Sequence, residues 1–525
     1  MKLKTLLSIF LLCLSAVGQT APNYLSTTST ANAGTITALF SGTTGVNQTA
    51  YDTSYNPRPL DCYTRVTDST TFGGASVNNN TASGGANDRM WSLNGDYVGT
   101  TTGGQVYILN LNTSGNCAQL INTGAPGIHV STPFGFSWVH DNVFYNIVSY
   151  SKLYKYTILT NSTTSSTMLF DFAAAGNCPG LPNPFTATDT SLLGIEQTDN
   201  RFSIVMSNAG GQDTGVWAVV YDVSLNECAV ENTSTGSYWN FGACAVGSRA
   251  PGTTPTGTLQ TTTTCTNGTN CSCWGGPVHD SQMSGNGLYV VESTYTNGGA
   301  TPWTQGACAG NGSGPELSLW QIGTQYTQWC TQDTSGLGGL YCNGHDSEGI
   351  SHMTSMESTS VNWLRPINNV ITYTNYGTGP LWATHGGWPH PTGDDSYPWV
   401  FTSYGLLSTQ GTSCGSGANF CPINLGNVLA ASYPNASSQP YTIFGHTYSC
   451  NDGSGSEATC GGHADAYFGC QFGITSVSQD GNWALMASGM LQNLGTDSSS
   501  NPRCDVFAVH IGAGWSTIFM GGILQ

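Results

Sequence analysis

Apolar positions along this chain come in short runs separated by Gly, Asn, Asp, Ser and Thr. Beyond the first residues, no stretch sustains the three-and-four spacing of an amphipathic helix between capping residues. The runs are rich in Tyr, Val, Thr, Phe and Trp, which suit a half-buried pleated surface. Three of them follow one phrase: Ser, any residue, Asn or Asp, Gly, any residue, aromatic. It reads Ser92-Leu93-Asn94-Gly95-Asp96-Tyr97, Ser284-Gly285-Asn286-Gly287-Leu288-Tyr289 and Ser478-Gln479-Asp480-Gly481-Asn482-Trp483. Asn-Gly and Asp-Gly tolerate the positive φ of a tight hairpin, so each phrase predicts a turn that delivers the chain into a strand.

Weaker turn-and-strand units fill the intervals. His140-Asp141-Asn142 precedes Val143-Phe144-Tyr145, and Asp199-Asn200 precedes Phe202 to Met206. Asn368-Asn369 precedes Val370 to Tyr373, and Asp394-Asp395 precedes Tyr397 to Thr402. Further strands follow several units, as at Gln105 to Leu111 and Val216 to Val223. Hairpins recurring at wide intervals imply repeated sheet modules, so the pattern predicts an all-β chain forming a single β-propeller. Seven blades are favoured; six is the alternative, because Asn368 and Asp395 lie too close for two full four-stranded blades. An open ring edge invites aggregation, so an early strand is expected to pair with the last blade. Thr35 to Phe40 is the expected partner of Val506 to Ile511. A pair of β-sandwiches competes with this reading but finds no mid-chain break; Pro251 to Thr264 reads as a long inter-strand loop.

The N-terminus sets the expected compartment. Lys2 and Lys4 precede the apolar run Leu6 to Leu14, and Ala16-Val17-Gly18 suits cleavage, so residues 1–18 read as a secretory signal peptide. Residues 19–525 then form the propeller domain, secreted to the periplasm or the exterior, with no later membrane span. Seventeen of the eighteen cysteines remain after cleavage, and in an exported chain these predict disulfides. Close pairs are Cys414 with Cys421, Cys450 with Cys460, and Cys470 with Cys504. The rival reading for Cys265, Cys271 and Cys273 is zinc ligation, which lacks a second Cys/His pair.

Charged residues make up only 8 %, and the formal charge is −18. The few basic residues do not cluster, which excludes an electrostatic footprint for nucleic acid or anionic membrane. A polyanionic ligand would be repelled unless a cation intervenes.

Histidines stand near the openings of proposed blades. His279 lies in His279-Asp280-Ser281-Gln282, His345 in Gly344-His345-Asp346-Ser347, His385 and His390 flank Gly386-Gly387-Trp388-Pro389, and His446 follows Gly445. Residues opening the innermost strands converge on the ring axis, so His279, His345, His385 and His446 are candidate ligands of one divalent metal, Mn, Ca or Zn. Asp280 and Asp346 would orient the imidazoles. The competing reading is that these histidines bond neighbouring turns and stiffen the ring. Trp382, Trp388 and Trp399, with His390, are candidate ligand-binding residues, because flat aromatic faces suit sugar rings.

The order of these segments resembles a group of secreted bacterial propellers with acidobacteria-like sequences. It runs from His279-Asp280 through Gly344-His345, His385-Gly386-Gly387-Trp388 and Gly445-His446 to Ser478-x-Asp480-Gly481 and Arg503-Cys504-Asp505-Val506-Phe507, covering about the last half of the chain. A more distant resemblance is to oligogalacturonate lyase propellers, which hold a divalent metal with histidines and a glutamine; His279 and Gln471 are similarly placed. The closely spaced histidine pair that follows the glutamine in that family is absent after Gln471. The resemblance implies metal-assisted uronate elimination as one function, with no identifiable base; Arg365 and Arg503 are the late candidates.

Other signals weigh less. Gly411-Thr412-Ser413-Cys414-Gly415 matches a serine-hydrolase pattern without its strand-to-helix context. Asp452-Gly453-Ser454-Gly455-Ser456-Glu457 reads as a hairpin loop between Cys450 and Cys460, with calcium as the rival. Sequons such as Asn47-Gln48-Thr49 arise readily in a chain this rich in Asn, Ser and Thr. The leading expectation is a secreted propeller binding an extracellular glycan or cell-surface material. A metal-dependent uronate lyase and a structural envelope protein are the alternatives, so enzymatic activity stays open.

Overall fold

The computed structural model describes residues 38–51, 62–72, 75, 89–123, 126–182, 185–187, 189–208, 215–232, 237–243, 278–294, 317–322, 325–330, 343–350, 352–356, 362–366, 374–375, 383–390, 399–403, 428–432, 441–448, 475–490 and 492–511. All regular structure among them is β, arranged in seven antiparallel sheets. Numbered in chain order, sheet 1 starts with Tyr97–Thr102, sheet 2 with Phe134–Phe136 and sheet 3 with Asp189–Ile195. Sheets 4, 5, 6 and 7 start with Val278–Met283, Asn343–Glu348, Ala383–Gly387 and Thr475–Val477. In sheet 1 Trp91 adds an isolated bridge to Val98 on the inner side.

These inner segments lie against one another in sequence order and return to the start. The Phe136 N–H donates to Arg89 O at 3.0 Å, joining sheets 1 and 2. The inner strands of sheets 2 and 3, 3 and 4, 4 and 5, 5 and 6, and 6 and 7 are neighbours in turn. Trp91 Nε1 donates to Ser476 O at 3.2 Å and completes the circuit. Radial antiparallel sheets around one axis are a β-propeller.

The recurring phrase closes its turn with the same serine-to-backbone bond in all three copies. The serine hydroxyl accepts the N–H of the aromatic residue at 3.0 Å for Ser92 and Tyr97, 3.1 Å for Ser284 and Tyr289, and 3.0 Å for Ser478 and Trp483. Ser284 and Ser478 donate onward to Asn286 and Asp480 at 2.7 and 2.6 Å, whereas Ser92 donates across to Asp141 of sheet 2 at 2.7 Å. The glycines carry φ of 78°, 67° and 74° at Gly95, Gly287 and Gly481. Gly287 also faces the neighbouring sheet: an added Cβ would sit 2.5 Å from Glu196 Cγ. Without the phrase, sheet 3 makes the same turn, with Glu196 N–H bonded to Arg201 O at 3.0 Å and Asp199 at φ 57°.

The hydrophobic core lies between sheets rather than inside any one of them. Val506, Ala508, Trp483 and Leu485 of sheet 7 pack with Val98 and Ile108 of sheet 1 and with Phe136 and Phe144 of sheet 2. Val205, Ala218 and Val220 of sheet 3 pack with Val290 and Trp320 of sheet 4. Both disulfides between described residues also cross sheets. Cys62–Cys117 ties sheet 7 to the loop after Gln105–Asn112, and Cys178–Cys228 ties the segment leaving sheet 2 to Glu227–Asn232 of sheet 3. Cys504 is disulfide-bonded as well. Cys414, Cys421, Cys450, Cys460 and Cys470 lie outside the described residues, as do the segments 251–264, 411–415 and 452–457.

Ring closure departs from expectation. The strand paired with Asp505–His510 is Cys62–Arg65, with Tyr63 opposite Val509 and Arg65 opposite Phe507; Thr49–Tyr51 then pairs outside it. Residues 35–37 lie outside the described residues, and 38–40 form no strand; Phe40 instead packs its ring 5.2 Å from that of Phe507. The physical reason is burial. Every residue of Cys62–Arg65 is buried, and Arg65 needs the Asp505 carboxylate as its buried counter-charge. Arg65 donates through Nε at 3.1 Å and through Nη2 to Asp505 Oδ2, while Arg503 donates at 3.0 Å to Oδ2 and 2.7 Å to Oδ1. All three side chains are fully buried. Arg503 is therefore committed to closure, which removes it as a candidate base.

A second carboxylate stitches the same corner. Asp68 accepts the N–H groups of Gly45, Val46 and Thr70 at 2.7, 2.9 and 2.8 Å, and the Thr70 hydroxyl at 2.6 Å. Burial pushes its pKa up, but these hydrogen bonds outweigh burial and hold it at about 2, below the ordinary 3.8.

Asp505 is the carboxylate that the buried Arg65 guanidinium meets, so removing its charge leaves that cation uncompensated, and we expect Asp505→Asn to destabilise the fold by about 3–5 kcal/mol in urea titrations. Asp68 stabilises the folded state fully above its unfolded value of 3.8, and that share disappears as pH falls toward about 2. We expect Asp68→Asn to flatten the acid limb of the stability profile measured by pH-dependent denaturation.

Candidate functional site

At the turn-bearing ends of the inner strands, a cavity of about 80 Å³ opens on the ring axis. Every sheet contributes to its wall: Arg89 and Trp91 precede sheet 1, Trp138 leaves the inner strand of sheet 2, and Leu193 to Ile195 come from sheet 3. Gln282 and Met283 come from sheet 4, Gly349 from sheet 5, Trp388 and His390 from sheet 6, and Ser476, Val477 and Gln479 from sheet 7. Small residues let the inner strands converge. A Cβ on Gly194 would lie 2.9 Å from that of Met283, and one on Gly387 would lie 3.0 Å from Val477 Cγ1.

Arg89 is the cation among the described residues that line this cavity. Its guanidinium carbon lies 3.4 Å from the centre of the Trp138 ring, within cation–π range. Nε donates to Phe136 O at 3.0 Å, and Nη2 to Ser137 O at 3.5 Å and Gln479 Oε1 at 3.2 Å. Burial pushes the guanidinium pKa down to about 9, with the Asp199 charge opposing, so it stays cationic at neutral pH. Asp199 itself is occupied by neutral donors: the Ser137 hydroxyl, the Trp138 N–H at 2.9 Å and the Tyr145 hydroxyl at 3.1 Å. Trp138 is fixed by its Nε1, which donates to Ile195 O at 2.7 Å. The His390 ring lies 5.2 Å from that of Trp138, and the His390 N–H donates to Gln479 O at 2.9 Å.

Of the residues expected from the sequence, Trp388 and His390 reach this cavity, both nearly buried at 6 % and 3 % exposure. The backbone of Trp399 opens the second strand of sheet 6. Trp382 and Gln471 lie outside the described residues. His279, His345 and His385 occupy the second, third and third positions of the inner strands of sheets 4, 5 and 6. His446 departs from expectation: it ends the fourth strand of sheet 6, Tyr441–His446. Three strand spacings of about 4.8 Å put its backbone roughly 14 Å out from the inner strand. Among the described residues no group of three His, Cys, Asp or Glu is placed to hold a metal ion.

No sequence pattern singles out Arg89, Trp138, Gln282 or Gln479 as ligand-binding residues, although the hairpin phrase marks the places of three of them. Gln479 follows Ser478 directly, Gln282 stands two residues before Ser284, and Arg89 three before Ser92. The phrase begins where an inner strand leaves the axis, so its flanks line the cavity.

No protein-family model matches the chain, and no curated protein matches it. Solved structures similar to it include the Myceliophteria thermophila Cps50 (Swd1) beta-propeller domain, at 10 % identity and a TM-score of 0.31, over 60 % of this chain and 78 % of that one. Another is a chain of the Mitotic Checkpoint Complex, at 10 % identity and a TM-score of 0.30, over 71 % of this chain and 85 % of that one. Likeness this distant says nothing of function. The protein's own ring of sheets defines its class, a disulfide-bonded β-propeller with an axial cavity.

Trp138→Phe keeps a ring beside Arg89 but leaves the Ile195 carbonyl without its donor. We expect a loss of about 1–3 kcal/mol in urea unfolding, with the fold retained by circular dichroism.

Proposed function

We propose that this protein is an exported, seven-bladed propeller that binds an extracellular ligand, a glycan or cell-surface material, at its axial mouth. The observation that supports this reading is the convergence of all seven sheets on one cavity walled by Trp91, Trp138 and Trp388. Concave sites of largely apolar wall with a few placed polar groups are the usual form of ligand pockets. Here Arg89, Gln282, Gln479 and His390 are those groups. Disulfides between sheets suit an oxidising compartment, and no helix among the described residues is long and apolar enough to cross a membrane.

A second reading, metal-dependent uronate elimination, draws on the shared position of His279, His345 and His385 in three successive inner strands. There a divalent cation would neutralise a carboxylate and acidify the adjacent C–H.

A glycan array run with and without chelator separates the two. The binding reading expects glycans retained in both conditions and lost with Trp388→Ala. The lyase reading expects stoichiometric metal in the purified protein, lost in His279→Ala and His345→Ala, and an ultraviolet-absorbing unsaturated product from pectic oligomers. Retention of no glycan and no metal would leave both without support.

A further inference from the structure

Resting on the reading that the axial mouth binds a ligand, we propose that the group it seats is a small carboxylate, held by the Nη1 amino group of Arg89. The residue lines the cavity, yet among the described residues only Nε and Nη2 are engaged, by Phe136 O, Ser137 O and Gln479 Oε1. Nη1 carries two N–H donors and bonds to nothing among the described residues. No carboxylate among those residues lies within ion-pair distance of Arg89 either; Asp199 spends its oxygens on Ser137, Trp138 and Tyr145.

The three engaged contacts and the Trp138 ring hold the guanidinium plane still, so a ligand meets a donor whose ordering cost is already met. Gln479 offers Oε1 to Arg89, which directs its amide nitrogen elsewhere as a further donor. Gln282 supplies another amide on the facing wall.

Volume limits what enters. A cavity of about 80 Å³ is roughly half the size of the one that admits benzene, so it takes a carboxylate on a slim stem and keeps any ring at the entrance. Charge selects in the same direction. The chain as a whole carries −18 and repels anions at long range, so an anion is retained only where this local cation is reached.

Trp91, Trp138 and Trp388 line the cavity and make tryptophan fluorescence the readout. The full chain, with disulfides intact, is titrated with sodium acetate and, in parallel, with acetamide at ionic strength balanced by chloride. Acetate should shift the emission saturably and acetamide should not. Arg89→Gln should weaken the acetate response by at least about 10-fold. Gln479→Glu retains Arg89 but places a carboxylate against it, and should suppress the response equally without removing the cation. Circular dichroism and thermal melts check that each variant folds.

Glucuronate and N-acetylglycine, run beside acetate, distinguish a sugar from a peptide as the bearer; tighter binding of either than of acetate supports the assignment. Equal responses to acetate and acetamide, or an unchanged acetate response in a folded Arg89→Gln, would overturn it. Retention of neutral glycans by a protein insensitive to acetate would overturn this inference while leaving the binding reading standing.

Discussion

The pairing of Cys62–Arg65 with Asp505–His510 is the constraint on which the rest of the molecule depends. Each sheet buries its faces against its neighbours, so an open ring would expose two faces and leave sheet 7 without its outer strands. Closure is also specified chemically. Asp505 accepts from two fully buried guanidiniums and from Thr67 at 3.2 Å, and Arg65 extends to the carbonyls of Gly42 and Thr44 at 2.9 and 3.1 Å. Any other register would bury at least one of these charges without its partner, a penalty larger than most single contacts can offset. The cluster thus acts as a register lock, and Cys62–Cys117 carries the lock across to sheet 1.

Closure and the axial cavity are two views of one geometry. Trp91 belongs to sheet 1, and its indole bonds to Ser476 of sheet 7, the sheet that closes the ring. Arg89, two residues earlier, bonds to Gln479 of that same sheet. The cavity wall therefore includes the first and last sheets side by side, and loosening the seam would loosen the guanidinium that distinguishes the mouth. Coupling runs through short, direct hydrogen bonds rather than through a chain of intermediates.

Much of this was legible in sequence, and the physical reasons are local. The Ser-x-Asn/Asp-Gly phrase encodes its own turn, because the serine hydroxyl and the positive-φ glycine act within six residues, joined at Ser284 and Ser478 by the amide or acidic side chain. The units at Asp141 and Asp199 were equally readable, since Val143–Val148 and Arg201–Ser207 follow them directly. What failed was long-range. Nothing near Thr35 to Phe40 discloses that the closing strand lies further on, because its partner stands 440 residues away from Arg65. Proximity along the chain does not suggest Cys62–Cys117 or Cys178–Cys228 either, which span 55 and 50 residues between sheets; the close pairs it does suggest each include a cysteine outside the described residues. Histidines drew attention as ligand types, yet only ring topology separates His446, on an outer strand, from His279, His345 and His385 on inner ones. No local pattern discloses the role of Arg89, which arises from Trp138 and Gln479, both remote from it in sequence.

Native-state hydrogen exchange at Val66 tests the central claim most directly. Its N–H donates to Val506 O at 3.0 Å, across the seam between the two ends of the chain. If closure holds the ring, this amide should exchange only through global unfolding, with the same denaturant dependence as amides in Phe202 to Met206. Rapid exchange at Val66 by a local, denaturant-independent opening, while sheet 3 stays protected, would contradict the account.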